Sequence, residues 1–113
     1  MKQSHECTLI VYGSLAPEQP NHAQIAHIKG TWKKGTVLGR LEHDGWGASI
    51  GYPGFVTSDH PEPIEVHILF SDQLPRHWGQ LDAFEGDEYT RRVIDFTTED
   101  GQVGYGNIYA LRK

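Results

Sequence analysis

One cysteine, Cys7, is too few for an internal disulfide, so the chain has no covalent framework and fits a reducing compartment. No cluster of basic residues exceeds a pair such as Lys33-Lys34 or Arg91-Arg92, and the formal net charge is −5. Nucleic-acid binding needs a footprint that neutralises phosphates, and that footprint is missing. Long apolar runs are missing as well. The N-terminal stretch is continuously aliphatic only from Leu9 to Val11, too short for a signal peptide or a membrane span. The expectation is a soluble cytoplasmic protein with no membrane partner. The seven histidines show no HxH, HExxH or CxxC spacing, so no metal is expected. The one tight group, His5-Glu6-Cys7, lies at the terminus. Cys7 has no evident partner for nucleophilic work and reads as a strand-start core thiol.

What is present suits one domain over residues 1–113. Thirteen glycines and six prolines demand many turns and favour an α+β or mainly β architecture over a helix bundle. Thr8 to Tyr12 (TLIVY) reads as a buried strand ended by a Gly13-Ser14 turn. A polar loop over Ala16 to Asn21 precedes a short helix, capped by Asn21, carrying Ile25 and Ile28, and closed at Gly30. Trp32 to Leu41 reads as strand. Asp44-Gly45 signals a hairpin whose return strand is Trp46 to Ile50. Gly51 to Phe55 reads as a turn, and the sequence leaves open whether Tyr52-Pro53 is cis. Ser58 to Pro63 is a loop. Ile64 to Phe70 alternates and then becomes apolar throughout, the pattern of a strand passing from edge to core. A helix follows from Leu74 to Glu85, with Pro75 tolerated in its first turn. Tyr89 to Thr97 and Val103 to Leu111 are strands joined by a turn over Glu99 to Gln102. About six strands and two flanking helices predict a small mixed β-barrel, closed or nearly closed.

Leu74 to Arg92 (LPRHWGQLDAFEGDEYTRR) holds the clearest chemical signal. Leu74, Trp78 and Leu81 fall at i, i+4 and i+7, the spacing of a buried helical stripe. At roughly 100° per residue, Glu85 lies about 20° from Leu74, inside that stripe. Gly86 then ends the helix. Burial and the negative helix end both disfavour the anion, so the carboxyl is predicted to titrate high and to serve as a proton shuttle near neutral pH. The competing reading is a carboxylate that leans out into water at the helix edge. Tyr12-Gly13-Ser14-Leu15, at the end of the first strand, offers successive backbone N–H groups that can hold a carboxylate or an oxyanion. Many strand–Gly–Ser turns are only turns.

YGSL after the first strand, QPNH over Gln19 to His22, GYPG in mid-chain and LDAFEGDEYTRR near the end together resemble the γ-glutamylcyclotransferase-like superfamily. The likeness is strongest to its small members, the γ-glutamylamine cyclotransferases and their uncharacterised bacterial relatives. It runs in order from about Thr8 to Leu111. The L-D-x-F-E-G-x-x-Y-x-R pattern is met by Leu81, Asp82, Phe84, Glu85, Gly86, Tyr89 and Arg91. The resemblance implies a small mixed barrel with a pocket at one end, Glu85 as the catalytic carboxylate, and Tyr12, Gly13, Ser14 and Leu15 as the substrate cradle. Tyr89 matches the tyrosine that closes the pocket, although a role as a strand-start core residue fits it equally. The larger glutathione-pathway members carry YGSNL and a longer chain; both are missing here, which points away from glutathione.

The implied reaction is cyclisation of a γ-glutamyl amide or γ-glutamylamine to 5-oxoproline with release of an amine, without metal or organic cofactor. Two other functions use the same pocket. One is a non-catalytic module that binds a small amino-acid-like ligand. The other is an enzyme that deprotects a γ-glutamylated biosynthetic intermediate. A buried acid favours chemistry over simple binding, because hiding a carboxyl costs free energy that a binding module need not spend. The leaving amine and the oligomeric state are not encoded in any local signal.

Overall fold

The computed structural model describes residues 5–13, 15–19, 22–42 and 54–111. Among these residues, the regular structure is β1 (Thr8–Val11), β2 (Thr31–Glu42), β3 (Gly54–Val56), β4 (Glu62–Phe70), α1 (Trp78–Glu85), β5 (Tyr89–Thr98) and β6 (Val103–Leu111). Five strands close into a barrel. β4 lies between β1 and β2, β2 reaches β5, β5 forms a hairpin with β6, and β6 returns to β1 in parallel. The extra strand, β3, wedges between β2 and β6 at one end, antiparallel to the first and parallel to the second. This is a mixed α+β barrel, as the strand pattern predicts.

Alternation along the strands sorts side chains between two cores. Ile64, Val66, Ile68 and Phe70 of β4 pack inside the barrel with Ile10, Val37, Phe55, Phe96 and Ile108. Leu9 and Val11 of β1, Leu69 of β4 and Tyr109 of β6 point outward, where α1 and the segment after β1 cover them. β1 is therefore buried on both faces, which is why it reads as an unbroken apolar run. The change of pattern along β4 has a direct cause. Residues His67 to Phe70 pair with both β1 and β2, whereas Glu62 to Val66 pair with β2 alone. The doubly flanked half is the apolar half.

Several expectations need correction. One α-helix is present among the described residues, not two. The segment after Asn21 is a 3₁₀ turn, His22–Gln24, continued by turns. Ile25 and Ile28 are nevertheless buried. A segment this short cannot repay helix nucleation, and its two isoleucines are held by the outer core instead. The expected helix from Leu74 is divided into a 3₁₀ turn, Leu74–Arg76, and α1. Pro75 supplies no N–H, and the His77 N–H returns to the Leu74 carbonyl at 2.8 Å, three residues back. Phe55, expected in a turn, lies in β3, because its register partner Ala110 is remote in sequence. The Asp44-Gly45 hairpin, the Trp46 to Ile50 strand and the Tyr52-Pro53 bond lie outside the described residues. No helix among the described residues is long and apolar enough to cross a membrane.

Candidate active site

Trp78, Leu81 and Glu85 form the buried face of α1. Trp78 and Glu85 are seven residues apart, nearly two full turns, so they lie on one side of the helix. Dividing the helix at His77 leaves this stripe intact. Glu85 is 7% exposed, and burial pushes its carboxyl up to about 7. The helix ends at Gly86, whose φ of 79° and ψ of −170° belong to a region essentially reserved for glycine. Its N–H closes the last turn on the Asp82 carbonyl at 3.0 Å.

Tyr12 stands just past the end of β1. Its phenol donates to the Tyr109 carbonyl at 2.7 Å and accepts the Phe55 N–H at 2.8 Å. The side chain thus splices β3 to β6 where direct pairing is limited to one residue pair. Burial drives the Tyr12 phenol up, and the nearby Glu85 charge pushes the same way. The phenol remains a donor across the working pH range. Gly13 and Leu15 are held by two further contacts. The Ala16 N–H reaches the Gly13 carbonyl at 3.0 Å, and His22 Nδ1 lies 2.9 Å from the Leu15 carbonyl. A carbonyl can only accept, so Nδ1 carries the proton. Ser14 lies outside the described residues. Ala16 to Gln19 makes a second turn, with Gln19 N–H on the Ala16 carbonyl, Pro17 at its second position and Glu18 at φ 69°. That third position of a type II turn normally takes glycine or asparagine.

A cleft of about 370 Å³ opens beside Tyr12 and Gly13, with Lys34, Glu65 and His67 from β2 and β4 on its other walls. A second cavity of about 470 Å³ lies beyond α1, against Asp82, Gly86, Tyr89, Arg91 and Tyr109. Glu85 is not among the described residues lining either cavity. Tyr12 and Gly13 are therefore gathered at one opening and Tyr89 at another. Tyr89 is buried in the outer core and pairs with Leu111, so its strand-start role is real. An ionised Glu85 raises both the Tyr12 and the Tyr109 phenols, the smaller effect beside burial.

Sequence reasoning passed over two features. Lys34 faces His67 and Thr36 faces Glu65 across the β2–β4 ladder. Only strand register brings these residues together, so no local signal could find them. The second feature is the environment of Asp82. Its Oδ1 accepts from Tyr109 at 2.7 Å and meets Arg91 Nε at 3.0 Å. Asp82 and Arg91 were visible as motif positions, but Tyr109 carried no mark. Among the described residues, no group of three or more His, Cys, Asp or Glu is placed to hold a metal ion.

A small closed barrel with a carboxylic acid buried at the end of its main helix defines the class of fold. The chain belongs to the gamma-glutamyl cyclotransferase, AIG2-like family, whose model matches residues 9–113. Membership supports a cyclotransferase-type enzyme in broad terms. No protein of curated function matches the chain. Among solved structures it is similar to YkqA from Bacillus subtilis, with a TM-score of 0.72 and 24% identity over 94% of this chain. It spans only 36% of YkqA's length. It is also similar to an AIG2-like protein (GGACT) from Mus musculus, with a TM-score of 0.61 and 24% identity, covering 92% of this chain and 76% of the mouse chain. A protein from Arabidopsis thaliana, At5g39720.1, matches at TM-score 0.64 and 24% identity, covering 92% of this chain and 67% of that one. At these identities the likeness establishes the fold.

Proposed function

We propose that residues 1–113 act as one γ-glutamylcyclotransferase-like domain that cyclises the γ-glutamyl group of a small γ-glutamyl amide or γ-glutamylamine, with Glu85 as the general acid and base. The observation that carries this reading is the buried carboxyl of Glu85, poised to exchange a proton at about 7. An ordinary carboxylate is too weak a base to compete for the proton of an α-amine, and a raised one is better matched.

The substrate α-amine attacks its own γ-carbonyl carbon, forming the ring C–N bond and a tetrahedral oxyanion. Glu85 takes the proton that the amine loses. The scissile C–N bond then breaks, and Glu85 returns the proton to the departing nitrogen. The products are 5-oxoproline and a free amine, and the carboxylate is regenerated. Folding the substrate into a five-membered ring geometry supplies much of the acceleration. Backbone N–H groups of Gly13, Ser14 and Leu15 are suited to the substrate carboxylate or the oxyanion. Tyr12 contributes through its fixed phenol, and Tyr89 closes the substrate space from the start of β5.

The test is a panel of γ-glutamyl amides assayed for 5-oxoproline by mass spectrometry, with Glu85→Gln alongside. The wild type is expected to release 5-oxoproline from at least one amide. The variant should keep its fold and lose about 10²-fold or more of turnover. Undiminished turnover in Glu85→Gln would remove Glu85 from the mechanism.

A further inference from the structure

Asp82 and Arg91 belong to the same motif as Glu85, yet neither has a part in the chemistry above. We infer that Asp82, Arg91 and Tyr109 form a positioning clamp that holds the last turn of α1, and with it Glu85, against the barrel. The inference rests on the reading of Glu85 as the proton shuttle.

Three elements meet at the Asp82 carboxylate. Asp82 lies in α1, three residues before Glu85. Arg91 is the third residue of β5, and its Nε stands 3.0 Å from Oδ1 while a terminal nitrogen reaches Oδ2 at 3.4 Å. The Nε approach is an ion pair without hydrogen-bond geometry, so direction is set by the longer terminal-nitrogen bond to Oδ2 and by the Tyr109 hydroxyl. Tyr109, on β6 and opposite Arg91 in the ladder, donates its hydroxyl to Oδ1 at 2.7 Å. The Arg91 guanidinium also lies 4.4 Å from the ring of Trp78, the first residue of α1. Trp78 in turn donates its indole N–H to the Glu6 carbonyl at 2.9 Å. Both ends of an eight-residue helix are thereby tied to β5 and β6 through one arginine. A helix this short has little stability of its own, so its last turn is only as fixed as its ties.

Global stability is a poor explanation for this arrangement. The Asp82 and Arg91 side chains are 46% and 29% exposed, and such pairs add about 0–1 kcal/mol. Their effect is expected on the geometry of Glu85 instead. The ionisable groups coupled to Glu85 are the Tyr12 phenol, just past β1, and the Tyr109 phenol on β6; Tyr89 begins β5, and the Asp82–Arg91 pair joins α1 to β5. Burial raises the Tyr109 phenol first, and its hydrogen bond to Asp82 adds to this. It therefore stays a donor throughout the working range.

The experiment compares Asp82→Asn, Arg91→Met, Arg91→Lys and Tyr109→Phe with the wild type. Its first readout needs no substrate: the ¹³C titration of the Glu85 carboxyl by NMR, assigned through its loss in Glu85→Gln. Loosening the clamp should let water reach Glu85 and lower its titration midpoint by about one unit or more in Arg91→Met and Asp82→Asn. Arg91→Lys, which keeps the charge, should shift it less. On any substrate found by the panel, kcat should fall about 10- to 100-fold with KM unchanged, because misplacing a reacting group by an ångström costs on that order. Tyr109→Phe deletes one oxygen and covers the case in which a charge variant fails to fold. Folded variants whose Glu85 titrates as in the wild type would overturn the clamp even if the cyclotransferase reading stands. A full rate in Glu85→Gln overturns that reading whatever the titrations show.

Discussion

Glu85 works against the fold that houses it. In an unfolded chain its carboxyl ionises near 4.5, whereas in the native protein burial holds it at about 7. Between these values the unfolded state binds fewer protons than the native state, so stability falls as pH rises through that window. Below it, both states are protonated and the effect vanishes. Above it, the full cost is present, about 3 kcal/mol. Glu85→Gln is thus expected to be more stable than the wild type by up to that amount at pH 8 and to match it near pH 4. Urea unfolding at the two pH values checks this, and equal stabilities at pH 8 would contradict a desolvated carboxyl. Groups perturbed in this way cluster at functional sites, which supports the role proposed for Glu85.

At the scale of the element, the end of α1 is defined by a backbone requirement. Gly86 at φ 79° and ψ −170° has open space where a Cβ would go, so crowding does not select glycine there. The dihedral angles do. Gly86→Ala is expected to cost about 1–3 kcal/mol from backbone strain alone. Gly79 is the opposite case: it lies inside α1, is exposed, and also has open space around it. Gly79→Ala should stabilise by about 1 kcal/mol through helix propensity. Thermal unfolding of the two variants should therefore move in opposite directions. The same helix shows how far periodicity carries. Trp78, Leu81 and Glu85 kept their common face although the helix begins four residues later than the pattern suggests. Pro75 and the tight turn at His77 set that start, and a stripe count does not register them.

At the scale of the whole molecule, barrel closure depends on a narrow contact. β2 reaches β5 only at Gly35 and Thr36, opposite Thr98 and Thr97. A Cβ on Gly35 would stand 2.6 Å from the Thr97 carbonyl oxygen and 2.9 Å from an Ile68 methyl. Backbone cannot yield as a flexible side chain does. Gly35→Ala is expected to cost about 2–3 kcal/mol. Amide hydrogen exchange should localise the damage: protection is lost at Glu99, whose N–H crosses to the Lys34 carbonyl, and kept at Thr98, whose N–H is held by the Gln102 carbonyl within the β5–β6 hairpin. Uniform loss across the barrel, or none at all, would show that the seam is not a discrete weak point. The barrel in turn joins Tyr12 to Tyr109, which are separated by most of the chain.

The chain's own residue pattern determined the strand periods, the apolar half of β4, the buried stripe of α1 and the placement of Glu85 within it. These are short-range properties, because side-chain direction repeats every two or 3.6 residues. Motif spacing also singled out Asp82 and Arg91, though not what they do. Tertiary structure alone decided the rest. It turned the expected second helix into 3₁₀ turns, because the buried isoleucines there gain from core contacts and not from helix formation. It placed Phe55 in a strand by giving it Ala110 as a partner. It made Tyr12 a bridge between β3 and β6, and it joined Tyr109 to Asp82. Each of these depends on register between segments far apart in sequence. Register is fixed by the collective packing of the barrel, which no local window contains.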